Sequence, residues 1–172
     1  MLEALIFVVF PFCMVFAAIS DVLSMTIANK VSLLLVATFM AIAPLTGMEW
    51  GDYALHLGAG AAVLSVTFVL FAIGGMGGGD AKLMAATAVW MGFDLVLLEY
   101  LVYASFVGGG LTLATLAYRK SMLVDLTRNN MFLRHFADAK VGIPYGVALG
   151  FAGLMIYPKS ALVVWALAQM AG

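Results

Sequence analysis

The chain has 172 residues, of which 65% are hydrophobic and only 10% charged, and its mean hydropathy is +1.12. That balance excludes the soluble globular classes and reads as a membrane protein. The net charge of −1 carries no information about partners, since in a membrane chain the placement of Lys and Arg matters and not their sum. There is no nucleic-acid footprint. The single cysteine, Cys13, lies in an apolar run, which excludes an internal disulfide and a CxxC metal site and reads as a small buried hydrophobe.

A bilayer core of about 30 Å needs roughly 20 apolar residues in a helix. The first such run is Ala4 to Ser20, closed by Asp21. Glu3 is the only charge before it and no positive region precedes it, so the expectation is a retained membrane helix and not a cleaved signal. The second run, Val31 to Met48, contains Pro44 and is closed by Glu49 and Asp52; the third, Tyr53 to Ile73, is interrupted only by His56. It feeds directly into Gly74-Gly75-Met76-Gly77-Gly78-Gly79-Asp80-Ala81-Lys82. Leu83 to Phe93 is too short to span unless its helix begins at that glycine turn. Leu95 to Tyr118 is a fifth run, with Glu99 near its start. Val141 to Met170, broken by Pro144, Pro158 and Lys159, reads as one irregular span, or alternatively as two shorter helices. The expected fold is therefore all-α and polytopic, with about six transmembrane helices in a single domain over residues 1–172.

Five of the eight basic residues, Arg119, Lys120, Arg128, Arg134 and Lys140, crowd into the loop 119–140. Short loops rich in Lys and Arg stay in the cytoplasm, so this loop is expected inside. Counting back through six helices puts Asp21 with Lys30, and Asp80 with Lys82, on the same side, and the acidic Glu49–Asp52 turn outside. Only Lys159 breaks the pattern. The loop itself reads as a solvated topology anchor with a short amphipathic piece, Met122 to Phe136, whose charge also suits contact with anionic lipid headgroups.

The two acids are the candidate chemistry. An ionisable group in a membrane span is a functional hypothesis by default, because placing it there costs free energy. Taken singly, each has a plainer reading: Asp21 as an interfacial helix end, and Asp80 as an N-cap for the helix that follows. The N-cap reading leaves the preceding glycines unexplained. Two carboxylates brought close together share a proton, so that one acts as base on a water and the other as acid toward a carbonyl or leaving amine, which is peptide hydrolysis without a metal. A Gly-x-Gly turn beside Asp80 suits close approach of a substrate backbone. A proton-relay carboxylate pair in a small transporter or proton-coupled channel has the same outline.

Gly77-Gly78-Gly79-Asp80 resembles the GxGD signature of intramembrane aspartyl proteases. The stretch from Gly78 to Ala86, followed by Trp90-Met91-Gly92, resembles the type IV prepilin peptidase pattern of GxGDxKL, small residues and W-x-G. Asp21 followed by Ile27-Ala28-Asn29 is similar to that family's first-aspartate segment, and Ile143-Pro144-Tyr145-Gly146 to its late I-P-[YF]-G element. The one departure is Ala28 where the family usually has proline, which loosens the turn before the second helix. The resemblance implies an inner-membrane, multi-pass aspartic endopeptidase without metal or organic cofactor. Its expected partners are prepilin and pseudopilin substrates and membrane lipids, and the leader is cut on the cytoplasmic side by Asp21 and Asp80. With one cysteine and no inserted cysteine-pair region, the chain resembles the short, peptidase-only branch associated with tight-adherence (Flp) pili.

Around that pair, Gly77, Gly78 and Gly79 are expected to shape the backbone that receives substrate. Lys82 is expected either to balance charge and bind substrate acids or to snorkel to headgroups, and Asn29 either to orient the first loop or to cap the next helix. Pro144 and Tyr145 are expected to shape the last helix near the site. His56 and Glu99 read as outer-side residues, and the 12 methionines as fillers of irregular apolar contacts. A noncatalytic scaffold descended from such a peptidase is the remaining alternative.

Overall fold

The computed structural model describes residues 1–121 and 142–171. The basic residues Arg128, Arg134 and Lys140 and the expected amphipathic piece Met122 to Phe136 lie outside the described residues. Among the described residues the regular structure is entirely helical. Helix α1 is Leu2–Ser24 and α2 is Asn29–Ile42, extended by a 3₁₀ turn, Ala43–Thr46, where Pro44 has no N–H to continue the α pattern. Then follow α3, Trp50–Ala72; α4, Gly78–Met91; and α5, Leu95–Arg119, opened by the Asp94 carboxylate accepting the Leu95 N–H. The last apolar segment is α6, Tyr145–Ile156, and α7, Ala161–Ala171, joined through a 3₁₀ turn at Tyr157–Lys159 and bent by 45°. The backbone is thus broken at Pro158, and the bent pair taken together still passes as one broken span, in keeping with the irregular span expected.

Among the described residues four segments are long and apolar enough to cross a membrane, Leu2–Ser24, Asn29–Thr46, Trp50–Ala72 and Leu95–Arg119; the bent α6–α7 pair makes a fifth if it counts as one span. At 1.5 Å per residue α1 and α3 each reach about 34 Å, enough for the hydrocarbon core, whereas the 14 residues of α4 reach only about 21 Å. Length and composition therefore support a multi-pass, all-α membrane protein, but do not bring the count of spans to six.

Helix α4 is the centre of the bundle instead. From Ala81 to Met91 only Lys82 and Met84 keep appreciable surface. Its alanines admit close neighbours, which matters because lipid tails are as apolar as leucine and membrane helices associate by close contact between small residues. Gly60 of α3 lies directly on Val89, with the Ala85 carbonyl 3.2 Å from where a Cβ would stand. The same device joins α1 to α6, where a Cβ on Gly150 would stand 2.8 Å from the Met14 carbonyl oxygen. At the bottom of α4, Trp90 is fully buried among Phe10, Phe39 and Tyr157, and its Nε1 donates to the Leu35 carbonyl at 3.0 Å. Gly92 ends α4 at φ 77°, with the His56 ring against it. The Trp90-x-Gly92 element is thus a packing anchor followed by a helix stop at a positive φ that suits glycine.

His56, expected near the interface, is buried instead: it faces the Phe39 ring at 5.0 Å and its Nδ1 donates to the Val89 carbonyl at 2.8 Å. Lys159, the exception to the charge pattern, forms an ion pair with Glu99 at 2.6 Å, so its charge is matched at the end of the bundle remote from Asp21 and Asp80.

Candidate active site

Asp21 and Asp80 reach one place from two different helices. Asp21 is in the last turn of α1, and the helix ends only at Met25, whose N–H bonds the Asp21 carbonyl at 2.8 Å and whose φ of 53° is the one left-handed non-glycine backbone described. Asp80 is in the first turn of α4, three residues past the N-cap, which is Gly77. The N-cap reading of Asp80 therefore fails: the glycine run ends the loop early, and no described residue hydrogen-bonds the Asp80 carboxylate. Both acids line a cavity of about 620 Å³ with Met25, Gly74 to Gly77, Thr112, Arg119, Gly142, Ile143 and Tyr145.

The Asp21 side chain is only 6% exposed and is held from the far end of the chain. Gly146, the second residue of α6, donates its N–H to Asp21 Oδ2 at 2.7 Å. Orphan N–H groups of a first helical turn are natural partners of a carboxylate. The approach is close enough that a Cβ on Gly146 would stand 2.9 Å from that oxygen, 3.0 Å from Asp21 Cβ and 2.8 Å from Ile27 Cδ1. Gly146 and Ile27 were not among the expected site residues; the glycine of the Ile143-Pro144-Tyr145-Gly146 element was the available signal. Pro144, fully buried, is the N-cap of α6 and so sets where these N–H groups begin. Tyr145 lines the cavity and lays its ring across Gly108 of α5. Arg119, which the charge pattern marks as a topology residue, also lines the cavity and donates Nη2 to the Gly142 carbonyl at 3.1 Å.

The three glycines face different ways. Gly77 lines the cavity beside the Asp80 carboxylate, Gly78 faces the Phe71 ring, and Gly79 lies against Ile27, where a Cβ would be 3.2 Å from Ile27 Cβ. Gly79 thus lets the first turn of α4 dock on the loop after Asp21, and only Gly77 is open to a ligand in the cavity. Asn29 and Lys82 meet each other, Lys82 Nζ donating to Asn29 Oδ1 at 2.9 Å, but they line a separate groove between α2 and α3 and not the aspartate cavity. Asn29 is the first residue of α2 and its side chain caps nothing; the N-cap is Ala28. Ala28 stands at φ −64° and ψ 130°, where a proline would hold it, so the loop keeps the backbone of an Ile-Pro-Asn turn without the ring.

A cavity of this size, lined by two carboxyl groups, has room for a water and a peptide carbonyl. No curated protein and no solved structure matches the chain. The profile of the type IV leader peptidase family matches residues 8–113. That match spans more than half of the chain and takes in both cavity aspartates, so this multi-pass membrane protein belongs to the type IV leader peptidase family.

Proposed function

We propose that the chain is an aspartic endopeptidase that removes the leader of type IV prepilins and pseudopilins, of the Flp type, at the cytoplasmic face of the inner membrane. The reading rests above all on Asp21 and Asp80 lining one cavity from two helices. In the mechanism one carboxylate takes a proton from a water as its oxygen attacks the scissile carbonyl carbon, and the other, protonated, gives its proton to the carbonyl oxygen. The tetrahedral adduct collapses with cleavage of the C–N bond, the nitrogen leaving as an amine with the proton first taken from water. Asp21 and Asp80 share these roles, the Gly146 N–H orients Asp21, and Gly77 leaves room for the substrate backbone beside Asp80. The single domain spans the whole chain, with the basic stretch 119–140 as its cytoplasmic loop.

Asp21→Asn and Asp80→Asn should each abolish leader cleavage of a co-expressed prepilin while leaving membrane abundance intact. Normal processing by either variant would sink the proposal. A cysteine placed at the exposed Gly75 should react with an impermeant maleimide only from the cytoplasmic side, and labelling from the other side would reverse the orientation.

A further inference from the structure

Helix α3 packs on α4, and α5 packs chiefly on α6 and more lightly on α4, but α3 and α5 make at most glancing contact with each other. Between them runs a groove of about 400 Å³, walled by Val66 and Leu70 of α3 and Leu97 and Leu101 of α5, with Met84 of α4 as part of its floor. Its upper end is closed by Met76 and Tyr145, and these same two residues line the cavity that holds Asp21 and Asp80. The groove therefore abuts the cavity, with these two side chains between them. The groove is also dry in character: Thr67 and Ser105, the hydroxyl residues along its helical walls, donate to the Val63 and Leu101 carbonyls of their own helices, each at 2.8 Å. From Ala62 to Leu70 it follows α3 for about 12 Å of bilayer depth, some two helical turns.

We infer that this α3–α5 groove binds the apolar, membrane-embedded segment of the substrate on the mature side of the scissile bond, which enters laterally from the bilayer. The assignment rests on the peptidase reading above. On that reading the leader is released at the cytoplasmic face, so the part of the substrate that continues past the aspartates into the membrane is the mature side. Helical walls whose hydroxyls are already paired accept a segment whose own backbone groups are paired as well, which in a bilayer is a helix. The other membrane-facing groove, lined by Leu33, Leu64, Ala86 and the Asn29–Lys82 pair, shares no residue with the aspartate cavity and does not lead a chain to it. Substrate selection then has two parts: a backbone presented to the aspartates, and an apolar face fitted between α3 and α5.

The test compares a full prepilin in proteoliposomes with a soluble peptide that carries the leader and scissile bond but ends shortly after it. Ala62→Trp and Ser105→Trp fill the groove from exposed positions, and Leu113→Trp is the control on α5 outside it. Filling should raise KM for the prepilin at least about tenfold, as expected for loss of apolar contacts, and leave peptide cleavage unchanged; the control should change neither. In an Asp80→Asn background, a cysteine at Val66 should crosslink to a cysteine on the mature side of the prepilin, the native Cys13 being buried. An unchanged prepilin KM in the filled variants, or crosslinking from Leu33 and Leu64 in place of Val66, would overturn the groove assignment. Failure of the unaltered protein to cut the prepilin would overturn the peptidase reading itself.

Discussion

Replacing Gly146 with alanine should slow leader cleavage by about ten- to a hundredfold while the protein still inserts. The backbone there is helical, so the glycine is required for space and not for conformation. The added Cβ would stand 3.0 Å from Asp21 Cβ, an atom fixed to the α1 backbone, where carbon atoms ordinarily approach to about 3.5–4.0 Å. Relief by moving α6 away from α1 requires about 0.5 Å or more, which takes the 2.7 Å bond from Gly146 N to Asp21 Oδ2 beyond good hydrogen-bond length. A hydrogen bond to a charged group contributes about 1.5–3 kcal/mol, and each 1.4 kcal/mol missing from the transition state is about tenfold in rate. The assay is kcat for prepilin cleavage per mole of purified protein, with a thermal melt alongside. Two controls separate site from fold. Gly109→Ala, also helical but with nothing within 4 Å of its added Cβ, should leave the rate unchanged. Adding Ile27→Val to Gly146→Ala removes the 2.8 Å clash with Cδ1 but not the one with Asp21 Cβ, so recovery should be partial. A wild-type kcat for Gly146→Ala would refute the role assigned to the α6 N-terminus.

Ala28→Pro should be accepted and raise stability by about 0.4–1 kcal/mol, because the native φ of −64° already suits proline; a lower melting temperature would contradict that reading of the loop. Trp90→Phe keeps a ring but removes the donor to the Leu35 carbonyl, and should lower stability by about 1–3 kcal/mol in a denaturation assay without altering the cleavage site. Lys82→Met and Asn29→Ala should each reduce cleavage by no more than about fivefold, since the pair is exposed, and the double variant should be no worse than the poorer single one. Additive losses would show that the two act on separate partners.

Much of the molecule was legible in order along the chain. The apolar runs marked the spanning helices to within a few residues, and Pro44 and Pro158 marked the two 3₁₀ breaks. Asp21 and Asp80 were separable from ordinary helix-end acids by the glycines and the late Ile-Pro-Tyr-Gly element. Other features were less legible. Leu83 to Phe93 read as too short to span unless its helix began at the glycine turn; the helix does begin there, at Gly78, but its 14 residues are walled in by their neighbours. His56 read as an outer-side residue from its place in the third run, and that gave no sign that it is buried with a carbonyl at the end of α4 as its partner. Lys82, only two residues from Asp80, read either as part of the aspartate environment or as a lysine reaching headgroups, and the helix turns it onto Asn29 in another groove.

The sequence by itself determined which segments are helical and embedded, because a backbone in lipid must pair its own polar groups and hydropathy is a local property. It also named the two acids and the glycines before Asp80. Only the tertiary structure decided which helix faces lipid and which faces protein, since lipid is as apolar as a protein core and an apolar helix carries little periodic signal to tell the two apart. For the same reason it alone brought Gly146 onto Asp21 across 125 positions of chain, opened the groove between α3 and α5, and made α4 the axis on which the cavity stands.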